Sequence, residues 1–410
     1  MSGVLDPLQE FQAIKAWLLA QAKAINESET VCLLDANARV LAEAIHSPIS
    51  LPALPTSAMD GYVVSKQCLE NGFPARLPVL GTLFAGADIP ASLPQDAAYK
   101  VMTGAALPGN AGLVIPVEEA QLLDDYLLLD TNKFRKSHIK QVGCDLSEGE
   151  LLLEKGVVLG AREIGLLASC GIAACPVLRR PKVLIAVGGD ELQSPGVPLQ
   201  AGQIYDANSW WLQAELTELG CEVVAVLSWQ DDLPSMQSSL RPRLEQIDLV
   251  ISVGGVSVGD RDFVYDCLQN LGEEARSCRW RLNMKPAKPL AYATWKQNAG
   301  AVKHWLALPG NPVAAFMSFQ LFAEPFIQSL SGKKSGSKKS CLAQMVQNVK
   351  ADPHKLLWMQ VRETQEGLEV IRQNSSSRLL DLTLADGYLC MPPNCDLEAG
   401  QTVEYWRYRR

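Results

Sequence analysis

Three times between residues 182 and 312 a short, nearly unbroken apolar run ends in a glycine turn: KVLIAVGG from Lys182, DLVISVGG from Asp248 and HWLALPGN from His304. A strand that is apolar on both faces has to be covered on both faces, the condition of a parallel sheet sandwiched between helices. Helical patterns fill the intervals. In DANSWWLQAELTELG, Ala207, Trp210, Trp211 and Ala214 fall at i, i+3, i+4 and i+7, with Asp206 placed to cap the start and Gly220 the end. Further strands are expected at EVVAVL, RWRLNM and PLAYATW, and further helices after Asp232, from Asp262 and from Pro312. The pattern predicts a doubly wound α/β domain over residues 179–330, with the loops after Val187, Val253 and Leu308 gathered at the carboxyl ends of the strands, where such sheets bind ligands.

Those loops carry a chemical contradiction. In GGVSVGD, Gly254, Gly255, Ser257 and Gly259 have the outline of a backbone cradle for phosphate, yet Asp260 follows where a P-loop has lysine. GGDELQSPG repeats the plan, with Asp190 and Glu191 after the paired glycines. In the third loop, Pro309, Gly310 and Asn311 precede Pro312, so Asn311 is placed to cap a helix whose first N–H groups stay open to an anion. Any one of these also fits an ordinary turn. Between the second and third loops, KPAKP holds Lys285 and Lys288 on a stiff backbone, which suits a phosphate as well as it suits a solvated turn. Carboxylates and phosphate share a site when a hard divalent cation lies between them. Glu191 and Asp260 are accordingly the expected magnesium ligands, and Lys285 and Lys288 the remaining positive charge.

Outside this domain the texture changes. The pattern from Leu8 to Ala24 reads as a helix, and Leu33 to Ile45 as a second; together they form the first part, residues 1–47, of a helical and mixed linking domain. Residues 48–145, with short apolar runs punctuated by Pro and Gly, read as an inserted β-rich domain, and 146–178 as the second part of the linking domain. In the inserted region Asp60 precedes Gly61 and Thr103 precedes Gly104, pairs that also occur in plain β-turns. Residues 331–340 (SGKKSGSKKS) form a linker, and 341–410 a small C-terminal β domain.

Composition narrows the function. Hydrophobic residues make up 48% and charged residues 20% of the 410, an ordinary globular balance. The net charge of -8 argues against general nucleic-acid binding, and no apolar run is long enough to span a membrane. Eleven cysteines without a C-x-x-C pair and four scattered histidines argue against a zinc site or a His-centred triad. A start without a leader pattern predicts a cytoplasmic protein.

Taken in order, SAMDGY (Ser57–Tyr62), MTGAALP (Met102–Pro108), GDELQSPG (Gly189–Gly196), GQIYDAN (Gly202–Asn208), GGVSVGD (Gly254–Asp260), KPAKP (Lys285–Pro289) and PGNP (Pro309–Pro312) resemble the molybdopterin molybdenumtransferase family, the MoeA proteins and the E domain of gephyrin. The resemblance spans nearly the whole chain. It implies a Mg2+-assisted reaction in which adenylylated molybdopterin and molybdate are the substrates, AMP is released and molybdenum is left on the dithiolene sulfurs. It implies four domains, the last a β-barrel, and a homodimer whose site combines the α/β domain of one chain with the inserted β domain of the other. By motif, the functional residues would be Asp60, Thr103, Asp145, Glu191, Asp260, Lys285 and Lys288, with Ser375 from the C-terminal domain. Partners it implies are the molybdopterin adenylyltransferase and acceptor molybdoenzymes or their chaperones. The chain departs from the family at Cys144, where an acid is usual, at Gly188, where a hydroxyl residue is usual, and at Arg362, displaced by about one place. Two other readings stay open here: a molybdopterin adenylyltransferase, which would make the adenylylated pterin from ATP, and a non-catalytic scaffold of the gephyrin kind. A nicotinamide-binding reading is poor, since no G-x-G-x-x-G follows a strand.

Overall fold

The computed structural model describes residues 6–72, 75–128, 136–229, 233–254, 266–267, 273–296, 302–333, 339–371 and 377–409. The chain forms two compact units, one of Thr30–Asn37 and Leu41–Pro176, the other of Met1–Glu29, Ala38–Val40 and Val177–Arg410.

In the larger unit a six-stranded sheet has the order Glu222–Trp229, Lys182–Gly188, Leu249–Val253, Lys303–Leu308, Pro289–Lys296, Glu273–Arg281. The first four strands are parallel, Pro289–Lys296 runs antiparallel to them, and Glu273–Arg281 is antiparallel to Pro289–Lys296 in turn. Alternate residues of one strand serve opposite faces, so Val183, Ile185 and Val187 pack under the helix Asn208–Glu218 while Leu184 and Ala186 pack with Met236 and Leu240 of the helix Leu233–Leu240. This two-sided burial is the reason for the unbroken apolar runs. The strand order reverses between Lys182–Gly188 and Leu249–Val253, so the loops leaving these two strands flank a switch point. Two buried tryptophans stiffen the sheet, and the indole N–H of Trp305 donates to Ser252 Oγ at 2.9 Å across adjacent strands.

The helix of the Asn208 segment is where the sequence predicts it, but its buried face is one residue out of phase. Asn208, Ser209, Leu212 and Leu216 are buried, whereas Trp210 is 59% exposed. Asp206 does accept the Ser209 N–H at 3.0 Å, and Gly220 turns the chain out with a φ of 82°. The run RWRLNM is not one strand. It ends at Arg281, and Met284–Lys285 leaves to pair in parallel with Leu356–Leu357 of the C-terminal sheet. That sheet runs Met284–Lys285, Leu356–Glu363, Gly387–Met391, Thr402–Arg407, Ser340–Gln344, with its own core of Met345, Val361, Leu389 and Tyr405. Near the start, Asp6 caps the helix Pro7–Gln21, whose Phe11 and Leu18 join the main core.

In the smaller unit a six-stranded sheet runs Ala111–Pro116, Gly61–Ser65, Ala98–Val101, Arg76–Leu83, Tyr126–Leu128, Gln121–Leu123. The helix expected over Leu33 to Ile45 is absent; the segment is a run of turns followed by single bridging residues. Leu41 exchanges backbone hydrogen bonds with Val157 and Gly156, and Ala42 donates to Pro176, so tertiary pairing takes the N–H groups that a helix would have used.

Candidate functional site

The predicted site residues lie in both units, and in each unit they are positioned by that unit's own backbone. In the smaller unit Asp60 ends the loop that enters the strand Gly61–Ser65. Gly61 is no turn glycine: it is hemmed in by the neighbouring strand, and a Cβ there would lie 2.1 Å from the Ile115 carbonyl oxygen. With Gly61 locked, Asp60 is fixed against the next loop, where the Thr103 N–H (2.7 Å) and hydroxyl (2.8 Å) both donate to one carboxylate oxygen, Oδ1. The Thr103 N–H, then its hydroxyl, holds the exposed Asp60 carboxyl below the usual aspartate range. It is a preoriented anion.

Asp145 belongs to the same unit. A two-residue ladder pairs Ile139 with Ser57 and Lys140 with Thr56, joining its segment to the one that leads into Asp60. Lys140 Nζ lies 3.0 Å from Asp145 Oδ2 and 3.3 Å from Oδ1, and the Cys144 thiol donates to Oδ1 at 3.6 Å. The Lys140 hydrogen bond lowers the Asp145 carboxyl and raises the Lys140 ammonium. Cys144, where the family usually has an acid, thus acts as a donor to Asp145 rather than as a second negative charge.

In the larger unit the three glycine loops meet. A Cβ on Gly254 would stand 2.8 Å from the Gly188 carbonyl oxygen, and one on Gly310 would stand 3.6 Å from the Gly254 Cα. Gly254 also has a φ of 89°, so only glycine fits there on both counts. Glu191 is exposed and folds back over Gly189, its Oε2 2.7 Å from where a Cβ would fall, while its carbonyl accepts the Ile204 N–H at 2.8 Å. In the third loop Asn311 does occupy the cap position before Pro312, but its side chain makes no cap bond. Among the described residues the N–H groups of Gly310, Asn311, Val313 and Ala314 meet no acceptor. Instead the Gly310 carbonyl is held, by Asn208 Nδ2 at 3.0 Å, and Asn208 Oδ1 accepts the Trp211 indole N–H at 3.0 Å. Asn208 had no role in the sequence reading. The signal for it was an amide, rather than an apolar residue, in the first turn of a helix that packs on the sheet.

Lys285 is half-buried in its short strand and Lys288 is exposed, the turn between them closed by the Leu282 N–H donating to the Lys288 carbonyl at 2.9 Å. Gly255, Ser257, Gly259, Asp260 and Ser375 lie outside the described residues, as does the helix expected from Asp262 apart from Asp266 and Cys267, which are helical. Arg362 pairs with Glu369 of the adjacent strand at 2.7 Å. Among the described residues no three His, Cys, Asp or Glu side chains cluster as a metal site. An exposed carboxylate such as Glu191 still fits magnesium, which commonly takes only one or two protein carboxylates beside phosphate and water.

A multidomain protein with an α/β domain whose glycine loops meet at the carboxyl ends of its strands is the class that this fold defines, and known proteins share it. Residues 8–171 match the family model of the MoeA N-terminal region (domain I and II), 184–329 that of the probable molybdopterin binding domain, and 343–408 that of the MoeA C-terminal region (domain IV). The crystal structure of a molybdopterin biosynthesis MoeA protein from Pyrococcus horikosii superposes with a TM-score of 0.79 at 26% identity, covering 100% of both chains. A molybdopterin molybdenumtransferase of Haemophilus influenzae is 36% identical over 323 residues, 78% of this chain and 77% of the relative. Molybdopterin molybdenumtransferase 2 of Mycobacterium tuberculosis is 30% identical over 410 residues, 97% of this chain and 98% of the relative. The chain belongs to the molybdopterin molybdenumtransferase family, transferases of molybdenum cofactor biosynthesis.

Proposed function

We propose that this chain takes adenylylated molybdopterin and molybdate as substrates, cleaves the phosphate bond to release AMP, and leaves molybdenum on the dithiolene sulfurs. The observation that carries this reading is the open row of N–H groups from Gly310 to Ala314 beside the convergent Gly188 and Gly254, a surface suited to phosphate oxygens. Lys285 and Lys288 add charge against the phosphates. Glu191, with Asp260, would hold Mg2+, which supplies neutralisation of phosphate charge as AMP leaves. Gly254, Gly255, Ser257, Gly259, Pro309, Gly310, Asn311 and Ser375 contact the pterin and its phosphates. Asp60, kept anionic by Thr103, and Asp145, kept anionic by Lys140, orient molybdate or the dithiolene and carry protons. The protein acts in the cytoplasm as a homodimer, with the domains bounded as the sequence pattern divides them and the C-terminal domain closing as a β-barrel. The adenylyltransferase that makes the substrate and the acceptor molybdoenzymes or their chaperones are its partners.

The test is direct: purified protein, adenylylated molybdopterin, magnesium and molybdate, with AMP followed over time. Molybdate-dependent AMP is expected, and none should form from molybdopterin and ATP. AMP release indifferent to molybdate overturns the proposal.

A further inference from the structure

We infer that Asn208 is a positioning residue of the site, one that sets the direction of the Gly310–Asn311 peptide by a donor and acceptor pattern no other side chain of its length supplies. The inference rests on the reading of the Gly310 loop as a phosphate-binding surface. Asn208 is buried, 8% exposed, at the first turn of the helix Asn208–Glu218, and its carboxamide lies between two groups of opposite kind. On one side is the Gly310 carbonyl, which only accepts, 3.0 Å from Nδ2; on the other is the Trp211 indole N–H, which only donates, 3.0 Å from Oδ1. Reversing the carboxamide would set donor against donor and acceptor against acceptor, so its orientation is fixed by its neighbours.

Trp211 is itself pinned. Its ring meets Phe316 edge-on at 5.3 Å and Phe319 at 5.6 Å, both on the chain that continues from the Gly310 loop. The helix start is tied down separately, by Asp206 accepting from the N–H and hydroxyl of Ser209. Asn208 therefore transmits a fixed frame to the Gly310 carbonyl. Gly310–Asn311 is a trans peptide, in which C=O and N–H point in opposite directions, so holding the carbonyl toward Asn208 turns the Asn311 N–H away from it. That N–H has no acceptor among the described residues. A glycine at 310 leaves the peptide free to rotate, so something has to fix it, and within the described residues the Asn208 amide is the only group bonded to it.

Asn208→Asp keeps the shape and replaces the donor with an acceptor, and Asn208→Ala removes both contacts. Ser209→Ala is the comparison, since it loosens the same helix start without touching Gly310. Hydrogen exchange followed by mass spectrometry on the wild-type chain and the variants gives a readout that needs no substrate. Exchange of the Ala315 amide, the one N–H among residues 309–315 with an acceptor within the described residues (the Asn311 carbonyl, 2.8 Å), is expected to accelerate at least tenfold in both Asn208 variants and to stay unchanged in Ser209→Ala, with the strand 182–188 unaffected in all. Affinity for adenylylated molybdopterin is expected to fall about tenfold in Asn208→Asp, the order of one lost hydrogen bond, and less than twofold in Ser209→Ala. Unchanged exchange of the Ala315 amide in the Asn208 variants overturns the inference. So does equal loss of affinity in the Asn208 and Ser209 variants, which would make Asn208 a prop of the helix. A wild-type chain that binds no adenylylated molybdopterin overturns the proposed substrate instead, and the exchange result then decides alone whether Asn208 sets the loop.

Discussion

His304 serves the fold, as its isolation from the other histidines in the sequence suggests. It is buried between strands, with Nδ1 2.8 Å from the Tyr292 hydroxyl and its ring edge-on to Phe326. Burial lowers its pKa from 6.5 to about 4, outweighing the nearby Asp248, while Lys303 adds to the lowering. The unfolded chain therefore takes up a proton near pH 6.5 that the folded chain refuses until about pH 4. Stability contributed by this group is complete above pH 6.5 and falls as the pH drops through that window. At pH 5 the loss is about 2 kcal/mol relative to pH 7. Asp248 adds to the slope further down: burial raises its carboxyl, but the Arg179 bonds at 2.6 and 2.9 Å and the Lys182 N–H leave it lowered overall. Denaturation of His304→Gln at pH 7 and pH 5 should show the difference shrink. An unchanged slope would mean that His304 protonates freely in the folded chain. The sequence reading judged His304 structural because no second histidine lay near it, and that limited inference was available from four scattered positions. The pairing of Asp60 with Thr103, 43 residues apart, was not legible from spacing at all.

At the scale of elements, the sequence spoke clearly where a local pattern was also the tertiary one. Strands buried on both faces are apolar throughout, and loops where backbones meet require glycine, so the sheet and the meeting of Gly188, Gly254 and Gly310 could be read. It spoke wrongly where distant pairing decided. Leu33 to Ile45 carries apolar residues at helical intervals, yet Leu33, Leu41 and Ala42 donate to Ala173, Val157 and Pro176, partners that leave no local trace. Met284 and Lys285 look like the end of one strand because their partners, Leu356 and Leu357, are some 70 residues on. Gly61 combines both cases. Asp-Gly resembles a turn, but the glycine is demanded by the Ile115 carbonyl on the next strand. Gly61→Ala should therefore cost about 3 kcal/mol through overpacking, measured by urea denaturation. Gly109→Ala, at an open position with nothing within 4 Å, should cost far less. Equal costs would mean that the strand Ala111–Pro116 yields easily at this point.

For the whole molecule, the separation of cores matters more than the number of strands. Among the described residues the hydrophobic clusters of the smaller unit draw only on that unit's own residues: Tyr62, Val64, Ile115 and Leu127 in one, Val63, Val101, Val114 and Leu107 in the other. The unit also closes its own Asp60–Thr103 and Lys140–Asp145 contacts. A unit with a private core and internally satisfied polar groups meets the conditions for folding alone. A fragment of residues 30–176 should accordingly unfold in one cooperative transition, and Leu127→Ala, which empties a fully buried position, should destabilise it by about 2–4 kcal/mol. The same fragment tests whether the Asp60–Thr103 contact is set within this unit alone. Because both donors to Asp60 come from Thr103 in the same unit, NMR titration of the fragment should find the Asp60 carboxyl below the usual aspartate value, and Thr103→Val should move it upward. A fragment that melts without cooperativity would show that its core depends on the rest of the chain. A folded fragment with an ordinary Asp60 would show instead that Thr103 does not hold the carboxylate, and the reading of Asp60 as a preset anion would fall with it.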